Sequence, residues 1–489
     1  MTTHYLAIDL GAESGRVMLG SLSEQGIALE EIHRFANLPL GNDQSLRWDL
    51  DALFREIEKG LGKAAERDLQ IEGVSVDSWG VDYVLLDDAG EIIPPAFHYR
   101  NERNKAAAEA MLQRIPWEEI YEETGLQFIA FNTLFQLAAE EPERLGKAHL
   151  ALPMADAFNH WLSGIAKTEL SIASTTQIYD PRKRRWSPRL LEALDLPASK
   201  LPEIAPSGTI LGSLRPAIQK ATGLTETKVI AGLSHDTGAA VAAVPTTEEG
   251  ENWAFLSSGT WSLIGAELTE PLINEDSRAR NFTNEIGYGH RVRFLRNVIG
   301  LWLIQECRRR WAEAGEEYDY DDLTSMADEA EPFAHLIDPD DDRFFNPPDM
   351  PAAIAGFCRE TNQPAPTTPG AFTRCALESL ALMYRHRIAD LSELTQRSFH
   401  RLHVIGGGSR NALLNQFSAN ALGMEVVAGP AEATALGNVA AQALALGRLN
   451  SLQEARRRIA KSADLATFLP SKEPAWEMAA ERFAQFRSG

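Results

Sequence analysis

An apolar run from Tyr5 to Asp9 ends in a carboxylate, turns through Leu10-Gly11-Ala12-Glu13-Ser14-Gly15-Arg16, and leaves as a second apolar run, Val17-Met18-Leu19-Gly20. Half a chain later the arrangement returns: Trp253-Ala254-Phe255-Leu256 runs into Ser257-Ser258-Gly259-Thr260 and out through Trp261-Ser262-Leu263-Ile264-Gly265. Two apolar runs around a short glycine-containing turn predict a hairpin, so each half of the chain opens with one. With 489 residues the chain exceeds what a single core spans. The repeat therefore predicts two similarly built domains. Small residues at such tips let backbone N–H groups converge on an anion, and Ser14 and Arg16 add side-chain donors suited to phosphate oxygens. Asp9, closing its strand, is placed to hold a hydrated magnesium ion beside that anion. Two tips facing each other across a cleft could clamp a polyphosphate, which one tip alone could not.

Between the hairpins, Gly232-Leu233-Ser234-His235-Asp236-Thr237-Gly238 interrupts two apolar runs, Val229-Ile230-Ala231 and Ala239 to Ala243. A charge in such surroundings costs stability unless it is paired, hydrogen-bonded or useful. Asp236 reads as a helix N-cap for the segment Thr237 to Ala243, or as a reactive carboxylate with an imidazole and a hydroxyl beside it; this window by itself favours the cap. A third element, Leu402-His403-Val404-Ile405-Gly406-Gly407-Gly408-Ser409-Arg410-Asn411, is a strand entering a glycine-rich bend and then a helix. Such a bend allows close backbone approach to a flat or anionic ligand. It has neither the Lys-Ser/Thr ending of a P-loop nor the dinucleotide-binding spacing, and a plain strand-to-helix turn is its alternative. Met424 to Gly429 follows as strand and turn, and Ala431 to Gly437 opens a small-residue helix.

Forty-seven basic residues against sixty-nine acidic ones give a formal charge of -22, which repels nucleic acid and anionic membranes. An anionic substrate then needs a local site or a metal ion to offset the field. The basic run Arg182-Lys183-Arg184-Arg185 is accordingly a solvated loop, and Asp338-Pro339-Asp340-Asp341-Asp342-Arg343, lacking calcium-loop spacing, is a turn in which Arg343 pairs with a carboxylate. Glu378 to Leu394 is apolar at helical spacing and reads as core. Cys307, Cys358 and Cys375 show no metal-ligand spacing and read as reduced core thiols. No window approaches about eighteen uninterrupted apolar residues, and the first residues carry no signal-peptide pattern. The expectation is a soluble, cytoplasmic protein that binds neither nucleic acid nor membrane.

Seven stretches, in this order, resemble the FGGY family of carbohydrate kinases, part of the actin, Hsp70 and hexokinase superfamily of two-domain ATP-binding folds. They are Asp9 to Leu19, Glu31-Ile32-His33-Arg34-Phe35, Asp77-Ser78-Trp79-Gly80-Val81-Asp82, Ser234-His235-Asp236-Thr237, Leu256 to Leu263, Gly300-Leu301-Trp302-Leu303 and Asp341-Asp342-Arg343-Phe344. The resemblance covers nearly the whole chain, and within the family it is greatest to the members that act on L-rhamnulose. Strands alternating with helices predict an α/β class on their own. The resemblance adds two actin-like (ribonuclease H-like) domains with mixed sheets flanked by helices, and an active site in the interdomain cleft. It implies an N-terminal domain at 1–244 for sugar and phosphate, a nucleotide-binding domain at 245–446, and a helical tail at 447–489 packed on the second domain. The boundary falls near Pro245-Thr246-Thr247-Glu248-Glu249-Gly250.

The implied activity is ATP-dependent phosphorylation of the 1-hydroxyl of L-rhamnulose, with Asp236 as general base. Carried over residue by residue, the resemblance puts ATP against Ala12, Glu13, Ser14, Gly15, Arg16, Thr260, Gln305 and Gly407. It puts the sugar against Gly80, His235, Asp236, Thr237 and Asn297, and Mg2+ near Asp9, through water. Glu13 departs from the small polar residue expected in the phosphate turn, so its carboxylate is expected to point outward. A 6-deoxy sugar calls for one apolar wall, for which Trp79 and Phe131 are candidates and ordinary core aromatics the alternative. The implied partners are small molecules, and the implied assembly a monomer or weak homodimer. Two other readings remain: an FGGY kinase for L-fuculose, xylulose, ribulose or glycerol, and a non-catalytic sugar sensor.

Overall fold

Six strands of the first half form one mixed sheet: β1 (Thr3–Leu10), β2 (Ser14–Ser23), β3 (Gly26–Ala36), β4 (Ile71–Ser78), β5 (Thr209–Ser213) and β6 (Lys228–Ala231). Their spatial order is β5-β6-β4-β1-β2-β3. β1 pairs antiparallel with β2 and parallel with β4, β4 runs parallel to β6, and β5 and β3 are the antiparallel edges. The computed structural model describes residues 2–42, 44–246 and 252–486. Apart from Pro245 and Thr246, the expected boundary stretch 245–250 lies outside the described residues.

The second half repeats this order. β7 (Trp253–Ser258), β8 (Trp261–Leu268), β9 (Val292–Ile299), β10 (Arg401–Ile405), β11 (Glu425–Ala428) and β12 (Ala466–Phe468) lie as β9-β8-β7-β10-β11-β12. β7 is antiparallel to β8 and parallel to β10, β10 is parallel to β11, and β12 closes the edge antiparallel. Each member of the second set thus takes the place of its counterpart in the first, hairpin for hairpin. Mixed sheets flanked by helices are what the sequence led one to expect.

Local composition explains the layering. β1 is central and covered on both faces, so it is a continuous apolar run: Tyr5, Leu6, Ala7, Ile8 and Leu10 are fully buried. The edge strand β3 instead carries exposed charged residues. Helix α1 (Leu50–Ala65) starts at Asp49, whose carboxylate accepts the Ala52 N–H at 3.0 Å. It buries Leu50, Leu53, Ile57, Leu61 and Ala64, spaced at three and four residues, in a core shared with Val17 and Phe35.

By contacts the chain forms two compact units, each drawn from several stretches. The first comprises Met1–Glu248, Glu267–Phe294 and Ala433–Ala463, the second Glu249–Ala266, Leu295–Glu432 and Asp464–Gly489. This grouping crosses the contiguous spans 1–244, 245–446 and 447–489: residues 433–463 join the first unit, and Asp464 onward the second. The apolar run Glu378 to Leu394 lies in a helix, Pro369–Thr395, whose residues are largely buried. Arg182–Arg185 is exposed, Arg343 meets Asp341 at 2.8 Å, and the three cysteines are buried and free, all as expected. Among the described residues no helix is long and apolar enough to cross a membrane.

Two helices of the first unit hold the central strands in place. α2 (Asp236–Ala242) follows β6, and α3 (Ala433–Ala445) crosses it. A Cβ at Gly437 of α3 would stand 1.8 Å from the Ala239 carbonyl oxygen of α2, so this crossing exists only because position 437 is glycine. Farther along α3, Gln442 donates to the Leu6 carbonyl of β1 at 2.9 Å and Asn438 donates to Asp77 of β4. Replacing Gly437 with alanine is expected to separate the helices and cost about 1–3 kcal/mol of stability. Chemical denaturation of Gly437→Ala checks this, and a midpoint unchanged from the parent chain would contradict so close a crossing.

Candidate active site

The polar turn after β6 is built on buried carboxylates. The end of β4 reaches it through the Ser78 N–H, which donates to the Ser234 carbonyl at 2.9 Å. The Ser234 hydroxyl donates to Asp156 and its N–H to Glu169, each at 2.9 Å. The His235 N–H donates to the Ser171 hydroxyl at 3.1 Å. Asp156 and Glu169 are wholly enclosed. Burial first, and then the Glu169 charge, push the Asp156 carboxyl well above its usual range; burial likewise raises Glu169. Neither residue was singled out from sequence. Asp156 sits among apolar neighbours in Met154-Ala155-Asp156-Ala157-Phe158, where the rule that drew attention to Asp236 applies equally; Glu169, in Lys167-Thr168-Glu169-Leu170-Ser171, carries no such signal.

His235 occupies the N-cap position of α2, with extended backbone and no side-chain cap bond, and Asp236 is the first helical residue. Asp236 is therefore not the N-cap, although its carboxylate accepts both the N–H and, at 3.1 Å, the hydroxyl of Thr237. Burial and then the negative charge of Asp9 push its pKa up to about 7, against the donors of Thr237 and the charge of Arg293. The side chain nonetheless keeps 31% of its surface open, so a ligand can reach it. His235 places Nε2 3.4 Å from Asp236 Oδ1 and Nδ1 3.0 Å from Arg293 Nη2. A Cβ on Gly80 would stand 3.0 Å from the Thr175 hydroxyl and 3.4 Å from His235 Nε2, so glycine lets the backbone close on this corner.

Asp9 lies in register with Arg16 on one side and Asp77 on the other. It forms an ion pair with Arg16, the cross-strand partner that the hairpin supplies. Asp77 is fully buried; burial and then the Asp9 charge raise its carboxyl well above the usual range. At the tip, the Gly11 N–H donates to the Ser14 carbonyl at 2.9 Å, and Asn37 fastens the Gly11 and Glu13 carbonyls. Ala12, Ser14 and Arg16 are partly exposed, Gly15 is buried against the Phe35 ring, and Glu13 is exposed. Trp79 is buried, its ring 4.1 Å from Trp48, and both indoles donate to Asp82, whose pKa burial raises to about 6. Phe131 is half-buried, its ring 5.2 Å from Tyr99.

The second unit gathers Thr260, Gln305 and Gly407 on elements that meet at one turn. The N–H groups of Gly300 and Trp302 donate to the Thr260 carbonyl at 3.1 and 3.2 Å, and that of Leu301 to the Gly259 carbonyl at 3.0 Å. The helix Trp302–Glu313 starts there and carries Gln305 in its first turn, with Oε1 buried and unbonded. Gly406 leaves β10 with φ of 83°, and a Cβ on Gly408 would stand 2.0 Å from the Ser258 hydroxyl. The bend thus presses against the hairpin end, leaving Gly407 exposed. Asn297, half-buried on β9, groups with this unit, whereas Gly80, His235, Asp236 and Thr237 belong to the first.

Residues 4–243 match the FGGY family of carbohydrate kinases, N-terminal domain, and residues 254–446 its C-terminal domain. The chain is 44% identical over 482 residues to a rhamnulokinase of Bacteroides thetaiotaomicron, covering 98% of each protein. It is 38% identical over 466 residues to a rhamnulokinase of Bacillus subtilis, covering 95% of each. Among solved structures, a gluconate kinase from Lactobacillus acidophilus superposes with a TM-score of 0.82 at 16% identity, over 99% of this chain and 97% of that one. Plasmodium falciparum glycerol kinase with ADP gives 0.79 at 15% identity over the same shares. These two likenesses concern the fold alone. The chain is a sugar kinase and belongs to the FGGY family of carbohydrate kinases.

Proposed function

We propose that this kinase transfers the γ-phosphoryl group of ATP to the 1-hydroxyl of L-rhamnulose, with Asp236 as the general base. The substrate assignment rests on full-length similarity to rhamnulokinases. The chemistry rests on one observation: a carboxylate within reach of a ligand whose surroundings push its pKa up to about 7. A sugar hydroxyl is a poor nucleophile at neutral pH, and a base works best with a pKa near the operating pH. Asp236 meets that condition while still substantially ionised. His235, Thr237, Gly80 and Asn297 are assigned to the sugar, and residues 12–16, Thr260, Gln305 and Gly407 to the nucleotide. The buried, unbonded Oε1 of Gln305 supports its part, since such an acceptor is costly unless a ligand supplies a donor.

Asp9 offers the hard carboxylate oxygen that suits magnesium. Magnesium habitually keeps water and phosphate oxygens in its shell, so one or two carboxylates suffice on the protein side. Magnesium, when bound, neutralises charge on the phosphate oxygens. Arg16 and the tip amides contribute in the same sense, and in a chain of charge -22 their positive potential is needed.

With MgATP, ADP release is expected to be fast with L-rhamnulose and slow with L-fuculose, D-xylulose or glycerol; a clear preference for another sugar overturns the substrate. Asp236→Asn is expected to bind the sugar and lose about 10²–10⁴-fold in turnover, measured by single-turnover kinetics. Near-parental turnover would remove Asp236 as base. Because only the ionised carboxylate accepts the proton, kcat/KM should climb with pH and level off above about 7. A profile flat from pH 5 to 8 would contradict it, on a window chosen about two units below and one above that value.

A further inference from the structure

Arg293 is wholly buried, and it reaches His235 from β9. Its Nη1 faces Glu285 Oε2 at 3.0 Å, its Nη2 and Nε donate to the Ile286 carbonyl at 3.2 and 3.4 Å, and Nη2 lies 3.0 Å from His235 Nδ1. All of these residues belong to the first unit. We propose that the Glu285–Arg293 pair is a positioning device that locks His235 in the tautomer carrying its only ring proton on Nε2, which makes the imidazole a fixed hydrogen-bond donor to the sugar subsite. The proposal rests on the assignment of His235 to the sugar.

A guanidinium has five donors, no acceptor, and keeps its charge in a protein. A ring nitrogen within bonding distance of it must therefore present a lone pair. Glu285 Oε2 competes for the same nitrogen as an acceptor, but at 3.5 Å, longer than the bond from Arg293. With Nδ1 accepting, the proton of the neutral ring sits on Nε2, the nitrogen that faces Gly80 and lies 3.4 Å from Asp236 Oδ1. The opposite tautomer would turn a lone pair towards the Asp236 carboxylate and leave Nη2 facing an N–H. A doubly protonated ring would set two cations together, and burial, followed by the Arg293 charge, lowers the His235 pKa accordingly. His235 thus stays neutral and donates in one direction. The donor meets a sugar oxygen or holds the Asp236 carboxylate so that its free lone pair addresses the nucleophile.

Long-range 1H–15N spectra of protein labelled at histidine, with His235 assigned by His235→Gln, report the tautomer without any substrate. The parent chain should show His235 protonated at Nε2 alone. The pair variant Glu285→Gln/Arg293→Met leaves no unpaired buried charge. It should show both tautomers and raise KM for L-rhamnulose about tenfold, the worth of one hydrogen bond, with KM for ATP unchanged; Arg293→Lys should recover the single tautomer. A parent His235 protonated at Nδ1, or a pair variant with the parent tautomer, overturns the proposal. Should the pair variant not fold, the parent spectrum still decides. A locked tautomer in a protein that phosphorylates no sugar would instead contradict the assigned reaction.

Discussion

The first unit crowds negative charge at the ends of its central strands. Asp9 and Asp77 are neighbours across a parallel pair, and the charge of Asp9 raises both Asp77 and Asp236. Such repulsion in a buried place would drive a chain apart unless something answered it. Arg16 answers it from the hairpin strand, and Asn438 answers it from α3. The close α2–α3 crossing follows from this need, since Asn438 can reach Asp77 only if α3 lies tight against α2 and β1. The raised Asp236 carboxyl, proposed as the base, is thus a consequence of how the sheet is held together, rather than a separate addition to it.

Duplication explains where the candidate ligand-binding elements fall. In each set of strands the first two make the hairpin, the next parallel strand ends beside its tip, and the polar or glycine-rich segment follows at that same end. In the first unit this brings Ser78 to the Ser234 turn; in the second it brings Gly406 and Gly408 to Ser258. The same topology has diverged in chemistry. One end offers carboxylates and an imidazole, the other hydroxyls, an amide and bare backbone.

What the sequence made legible was local. Both hairpins, the strand before His235 and the glycine bend at 406–408 are written in apolar runs and turn residues a few positions apart, which neighbouring residues decide. Asp236 was misplaced by one step as a cap, because His235 takes the cap geometry without using its side chain. Contacts between residues far apart in the sequence were not legible. Asn438 meets Asp77, Gln442 meets Leu6, and Arg293 meets His235; no periodicity announces such pairs. The return of 267–294 and 433–463 to the first unit was hidden for the same reason, since reading along the chain assumes that a domain is one stretch. Asp156 and Arg293 did leave a signal, as charges flanked by apolar residues in Met154-Ala155-Asp156-Ala157-Phe158 and Val292-Arg293-Phe294-Leu295, which demand partners even when the partners are far away; Glu169 and Glu285, with polar neighbours, left none.

The proposed reaction turns on the ionisation of Asp236, so the decisive quantity is its titration midpoint. Carboxyl 13C chemical shifts of aspartate-labelled protein, assigned with Asp236→Asn and followed against pH, give it directly. The expected midpoint lies near 7 and moves down in Asp9→Asn as the neighbouring negative charge is removed. A midpoint at the ordinary carboxylate value of about 4, the same with and without Asp9, would contradict it.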